Sequence, residues 1–582
     1  MATLQSTIWS KTSKQTAALQ SWTQDTPRAD LEKALDFLQA HKQEWAVLPI
    51  SGRVAILDQI KKDLRRVEER WVAAGMRAKG SRPRSIGESE EWFTLTVTYR
   101  LLRYLRKSLV DIEKHGQPLL PGKLCWKDAG LWQADVFPQN WQDRLAMPGV
   151  HAEAWLWDSY RGDAPAMAAF YRKKNPQGSV VLVLAAGNIA SQVTYDFLHK
   201  LFVEGNVVLL KMNPVNAYLG DLIEEGFRAL IKPGYMQMVR GGAEVGAFLS
   251  RHPKVDELHL SGSDRTYEAV IFGNGREGQQ SKKEKKPVLA KRFTAELGNI
   301  SPVIIVPGPW SRRDVRIQAM KIGSWLVPNA GFNCLTPRVL IQSQDWDKRQ
   351  MLNEAIANYL AGIETRKAYY PGASDVHSEF IKRHPEARNL GAPKPGELPW
   401  TFVTDLDSNS NDEICFRREP FLSLFSETAI QAKDTVDFIE KAVEFANTKL
   451  WGTLCASIIV HPVSFKDPIV AAAVDQAIAD LNYGSVVVNH WGALAYYMAV
   501  TPWGAPPGYD IYDIQSGQGK INNPLMFDQP IKSVLYAPFI SIPDPYMAHS
   551  KTNYKYFRQD TRYQADPTVW NLVKLLWAAV RS

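Results

Sequence analysis

Cys334 stands in NAGFNCLTPRVL, a Gly- and Asn-rich turn that enters a β-rich run. Turns of this kind expose a side chain and free backbone N–H groups, and a thiolate placed there can attack a carbonyl carbon. The competing reading is a small buried thiol beside a strand. Cys125, Cys415 and Cys455 have no chemically suggestive neighbours in sequence and read as structural, and no metal site is expected. Upstream, HLSGSDRTYEAVIFG runs from a strand through Ser261-Gly262-Ser263 into a helix. Backbone N–H groups and hydroxyls at a helix N-terminus suit a phosphate, although Ser-Gly-Ser is also an ordinary cap. Lys211 ends the run NVVLLK, where its ammonium either meets a ribose or phosphate or is a solvated strand end. GNGREG at 273–278 matches G-x-G-x-x-G literally. It is rejected as a dinucleotide fingerprint, because those glycines act only in a tight turn from a strand into a long helix. The QQSKKEKKP that follows has no apolar periodicity, so the segment reads as a solvated surface loop.

These residues need a scaffold, and the hydrophobic pattern supplies one. Apolar positions recur at spacings of three and four through residues 30–110, which predicts helices. Residues 117–175 are rich in Pro, Gly and Trp and read as irregular, with short strands at best. From 178 the pattern alternates: strands at 179–184, 206–211, 237–240 and 257–262, with helices near 191–203 and 217–231. Near-continuous apolar strands alternating with helices predict βαβ units and a buried parallel sheet. A second α/β region has strands at 301–306, 337–342, 421–426, 455–462 and 485–489. The tail after 505 is rich in Pro, Tyr, Asp and Gly and closes on a helix with an apolar face, expected to be a core or subunit contact.

The 582 residues are 45% hydrophobic and 22% charged. That composition excludes collagenous, disordered and disulfide-stapled classes, and four cysteines fit a reducing compartment. The first twenty residues lack the apolar core of a secretory signal, and no run approaches a membrane span, so a soluble cytoplasmic protein is expected. The net charge is +8. Residues 273–292 hold seven Lys or Arg against two Glu, so most of the excess sits in one expected surface insertion. Basic patches interleaved with aromatics are lacking, and no nucleic-acid partner is expected.

Several segments together resemble the aldehyde dehydrogenase superfamily over roughly 40–510. ELGNISPVIIV, carrying Glu296, looks like that family's Glu-Leu-Gly-Gly-Lys-Ser-Pro motif, and NAGFNCLTPRVL looks like its catalytic-cysteine motif. NVVLLKMNP resembles the strand ending in its cofactor lysine, HLSGS its Phe-Thr-Gly-Ser turn, and NYGSVVVNHW with TPWGAPPG its C-terminal region. The resemblance implies an α/β fold with a Rossmann-type parallel-sheet cofactor domain, an α/β catalytic domain and a small oligomerisation element. The corresponding divisions are 1–298, including a basic insertion at 273–290, then 299–505, and a C-terminal extension 506–582. It implies NAD(P)-dependent oxidation of an aldehyde to a carboxylic acid, by a homo-oligomer (dimer or tetramer). Cys334 would be the nucleophile, with Asn188 and the Cys334 N–H as oxyanion donors and Glu296 the base that hydrolyses the thioester. Lys211 would hold the adenosine ribose, Gly262 and Ser263 the pyrophosphate, and Glu413 the nicotinamide ribose. Two residues inserted before Pro420 make Glu419 a competitor for that last role.

The chain also departs from the family pattern. Gly187 stands where many members carry Trp, Asn299 where a small residue packs, and Phe332-Asn333 before the cysteine. Pro214 replaces an acid that commonly selects NAD, which leaves NAD or NADP open. A CoA-acylating dehydrogenase or acyl-CoA reductase is the alternative on the same fold. A catalytically degenerate scaffold or nucleic-acid-binding protein is the alternative from another class.

Overall fold

A computed structural model describes residues 24–127, 131–157, 166–541 and 544–581. The twenty N-terminal residues read for a signal lie outside the described residues. The expected helical region forms three helices, Arg28–Val47, Ile50–Ala78 and Ile86–His115. Pro27 and Pro49 set the first two starts, and Gly116, with φ 81°, stops the third in the left-handed conformation a glycine adopts freely. The third helix buries Trp92, Leu95, Tyr99, Leu102 and Leu105, the three- and four-residue spacing of a core stripe.

The six-stranded sheet runs in the order Gly517–Gln518, Arg292–Glu296, Glu257–Ser261, Val180–Leu184, Val207–Lys211, Met236–Val239. All contacts among its five longer strands are parallel. Register pairs Leu184 with Lys211 and Ser261 with Glu296, so the expected site residues on these strands share one sheet edge, at the C-terminal strand ends. That is where ligands bind in open α/β sheets.

Among the described residues the second sheet has eleven strands. Its central seven, Pro530–Tyr536, Ser485–Val488, Cys455–Ile459, Ser301–Ile305, Pro337–Ser343, Leu424–Ile430 and Trp400–Asp407, are all parallel. Antiparallel strands Leu124–Lys127, Leu131–Phe137 and His151–Trp157 extend one side. These three come from the segment read as irregular, and two of them are seven residues long. They join this sheet and not the one formed by the rest of 1–298.

Three further differences have physical causes. The strand expected at 421–426 begins at Leu424, because Phe421 is left-handed (φ 49°) and the buried Arg338 guanidinium binds the Leu422 and Leu424 carbonyls at 2.6 and 3.1 Å. The surface loop expected at 273–290 contains a helix, Gly275–Lys283. It buries only Gly278, and the Lys282–Glu268 and Gln280–Glu284 contacts hold it, so apolar periodicity was no guide. The tail is no simple extension. Pro530–Tyr536 lies between Ser485–Val488 and His151–Trp157 inside the large sheet. Asn553–Ala565 packs on Ile86–His115, with Thr561 and Thr96 hydroxyls 2.8 Å apart. The closing helix Val569–Val580 buries Leu572 and Leu575 but leaves Trp570 66% and Trp577 59% exposed. No helix among the described residues is long and apolar enough to cross a membrane.

Candidate active site

Three segments converge at the strand ends: the turn after Val180–Leu184, the end of Arg292–Glu296, and the loop between Arg312–Leu326 and Pro337–Ser343. In that loop Asn329, Ala330 and Gly331 are successively left-handed, with φ of 56°, 54° and 79°. Such a run costs free energy for the two non-glycine residues and persists only where its surroundings hold it. Asn329 Nδ2 donates to the carbonyls of Asn188 (3.1 Å) and Phe332 (3.0 Å), and Asn333 Nδ2 donates to Pro328 O (2.9 Å). Arg338 donates to Gly331 O at 2.8 Å. At Gly331 itself a Cβ would sit 2.4 Å from Leu422 O, so only glycine fits. Asn188 closes the arrangement by donating from Nδ2 to Phe332 O at 3.1 Å. The unusual Phe332-Asn333 pair is therefore part of the lattice that fixes the cysteine.

Cys334 Sγ donates to Glu296 Oε1 at 3.1 Å, and Trp503 Nε1 donates to the same oxygen at 3.3 Å. Burial pushes the Glu296 carboxyl up to about 7, aided by the nearby charge of Asp196 and opposed by the Cys334 and Trp503 hydrogen bonds. Burial, followed by the adjacent Glu296, also holds the Cys334 thiol well above its ordinary range. Asp196 is buried; Oδ1 accepts from Ser261 Oγ (2.9 Å) and Gln192 Nε2 (3.2 Å). Burial drives its carboxyl well up too.

A cleft of about 540 Å³ is lined by Gly187, Asn188, Ser263, Glu296, Cys334 and Glu419, among others. Gly262 lines it as well. Ser263 Oγ caps the helix Asp264–Phe272 by accepting from Thr266 N–H at 3.1 Å. Lys211 is buried under Gly246 and does not line the cleft; burial lowers its ammonium. Glu413 does not line the cleft either. It caps the short helix Ile414–Arg417 and meets His384 Nε2 at 3.0 Å. Glu419, the competitor, is in the cleft: one oxygen accepts from Asn299 N–H at 3.1 Å. The other is buried without a hydrogen-bond partner, 3.6 Å from Arg338. Burial pushes Glu419 up to about 7, with Arg338 opposing. Asn299 is fully paired, with Ser301 Oγ at 2.9 Å and Cys455 O at 3.0 Å, which accounts for its departure from a small residue. Sequence reasoning missed Trp503, Arg338 and Asp196. Trp503 had a signal in TPWG, whereas the other two are ordinary residues brought in by the fold.

The cleft suits a dinucleotide. It carries a helix N-terminus at Asp264 and an unpartnered buried carboxylate oxygen on Glu419. Residues 155–373 match the aldehyde dehydrogenase family. The putative aldehyde dehydrogenase FUS7 of Gibberella fujikuroi is 27% identical over 314 residues, 53% of this chain and 59% of that protein. The 4-trimethylaminobutyraldehyde dehydrogenase of Homo sapiens is 31% identical over 136 residues, 23% of this chain and 25% of that one. The matches thus span less than two thirds of these relatives' length. Among solved structures, glyceraldehyde-3-phosphate dehydrogenase GapN from Methanocaldococcus jannaschii, complexed with NADP, has a TM-score of 0.59 at 15% identity, covering 88% of this chain and 96% of that chain. A salicylaldehyde dehydrogenase from Pseudomonas putida G7, complexed with salicylaldehyde, has a TM-score of 0.60 at 14% identity, covering 89% and 93%. The chain has the aldehyde dehydrogenase fold. The segment 155–373 and the relatives are thus similar to aldehyde dehydrogenases at low identity, and the solved structures share the fold.

Proposed function

We propose that this chain oxidises an aldehyde to its carboxylic acid with NAD or NADP, through a thiohemiacetal and a thioester on Cys334. The observation that carries the reading is the Cys334 thiol donating to Glu296 at 3.1 Å in a cleft shared with Asn188. Glu296 takes the thiol proton as Sγ bonds to the aldehyde carbon. The Asn188 amide and the Cys334 backbone N–H then donate to the developing oxyanion. The bound nicotinamide supplies a hydride acceptor. After hydride transfer Glu296 gives up the thiol proton to solvent, and the carboxylate so regenerated takes a proton from water as the water attacks the thioester; the C–S bond breaks and Cys334 leaves as thiolate. A carboxylate so close to the sulfur supports water, not CoA, as acyl acceptor.

Gly262 and Ser263 would hold the pyrophosphate at the helix N-terminus, and Lys211 the adenosine ribose. The place of Glu419 in the cleft, with one oxygen lacking a hydrogen-bond partner, supports that residue, and not Glu413, as the partner of the nicotinamide ribose. The exposed apolar face around Trp570 and Trp577 supports a homo-oligomer. The test is a spectrophotometric screen of aldehydes with NAD and with NADP, each with and without CoA. Free acid and reduced cofactor without CoA are expected; acyl-CoA with no free acid would overturn the hydrolytic reading.

A further inference from the structure

Glu413 leads away from the cleft to a second cluster. His384 Nε2 lies 3.0 Å from Glu413 Oε1 and 3.8 Å from Cys415 Sγ, and the three donor atoms all fall within 4.8 Å of one another. His384 and Cys415 are buried and Glu413 nearly so. On the far side of the imidazole, Nδ1 lies 3.1 Å from Glu386 Oε1. We propose that His384 Nε2, Cys415 Sγ and Glu413 Oε1 form a binding site for a zinc-class divalent cation.

Imidazole, thiolate and carboxylate together are a donor set for a borderline-soft ion such as zinc. A tetrahedral centre with bonds of about 2.0–2.3 Å separates its donors by roughly 3.3–3.6 Å. The observed 3.0 and 3.8 Å lie on either side of that range, and the third pair falls within 4.8 Å, so the three donors need only modest shifts to seat the ion. Glu386 on Nδ1 is the outer carboxylate that orients metal-ligating histidines and leaves Nε2 for the cation. A His384–Glu413 ion pair explains two of the three groups. It does not explain why a buried thiol is aimed at the same nitrogen.

The donors are rigidly carried. His384 follows the helix Ala373–Arg383, its N–H donating to Phe380 O at 3.0 Å, and Cys415 N–H donates to Glu413 Oε1 at 2.8 Å. Binding would displace the thiol proton, and the imidazole proton where present, to solvent. Ala373 and Val376 on one segment and Arg417, Arg418 and Glu419 on the other line the catalytic cleft. The cation would therefore tie two walls of the cleft together without touching the reacting atoms.

The test uses the purified full-length chain, stripped with chelator and titrated with Co(II), then with Zn(II) in competition. One Co(II) per chain is expected, with a thiolate-to-cobalt charge-transfer band and the visible bands of a tetrahedral site, both abolished by Zn(II). Cys415→Ala decides, because it removes one donor and leaves the His384–Glu413 pair in place; it should lose the charge-transfer band. Glu386→Gln should weaken binding about 10- to 100-fold. Cys334→Ala should bind as wild type does, which separates this thiol from the one in the cleft. Absence of the band in wild-type protein, or an unchanged band and affinity in Cys415→Ala, would overturn the proposal.

Discussion

Glu296→Gln tests the chemistry most directly. Burial holds Glu296 up to about 7 against an ordinary value of 4.5. That gap corresponds to roughly 3 kcal/mol of penalty on the ionised form, at about 1.4 kcal/mol per pH unit. At pH 7 about half the chains carry the carboxylate, and at pH 6 about a tenth. Thioester hydrolysis should then fall about tenfold per pH unit below 7. In Glu296→Gln that limb should vanish and hydrolysis should slow by about 10²- to 10⁴-fold, the usual worth of a general base. Stopped flow would show a burst of reduced cofactor followed by slow turnover. Stability supplies an independent check. The folded-state value is raised, so between pH 4.5 and 7 the unfolded chain ionises at this position while the folded one keeps its proton. The group's contribution is full below 4.5 and is lost as pH rises through 7. Urea unfolding should therefore show Glu296→Gln gaining about 3 kcal/mol on wild type between pH 4.5 and 7.5. Unchanged steady-state turnover in the variant, or a wild-type limb centred near 4.5, would refute the reasoning.

Cys334→Ala should abolish oxidation and leave cofactor affinity, read by fluorescence quenching, close to wild type; substantial residual turnover would remove Cys334 from the nucleophile's role. Asp196→Asn removes a carboxyl whose ionised form raises Glu296, and because burial drives Asp196 itself well up the acidic limb of the pH–rate profile should move down only slightly. Trp503→Phe removes a donor that favours the carboxylate, so the limb should move up; shifts of the same sign in both would contradict this electrostatic picture. Glu419→Gln should raise the KM for NAD(P) about 10- to 100-fold, the loss of one charge-assisted hydrogen bond of about 1.5–3 kcal/mol. An unaltered KM would return the ribose role to another residue.

Much of this protein was legible in one dimension because its determinants are local. The parallel strands are short apolar runs, and burial on both faces requires that pattern wherever the chain places them. Cys334 and Asn188 stand in turns visible in the sequence, and Glu296 is marked by the resemblance of ELGNISPVIIV. Their proximity is a tertiary fact: Ser261 pairs with Glu296 in one sheet, while Cys334 arrives from a loop feeding the other. The choice between Glu413 and Glu419 could not be made along the chain, since both follow acidic or basic neighbours in NDEICFRREP. The tertiary structure separates them: the short helix Ile414–Arg417 spends Glu413 as its cap, and Glu419 lines the cleft. The tail was opaque for a related reason. Pro530–Tyr536 is a central strand only because neighbours from 151–157 and 485–488 flank it, and a Pro- and Gly-rich composition carries no record of partners distant in the chain. Residue types set what chemistry this chain can perform; long-range packing, which pairs groups by burial and register and not by order, decided which of those residues meet.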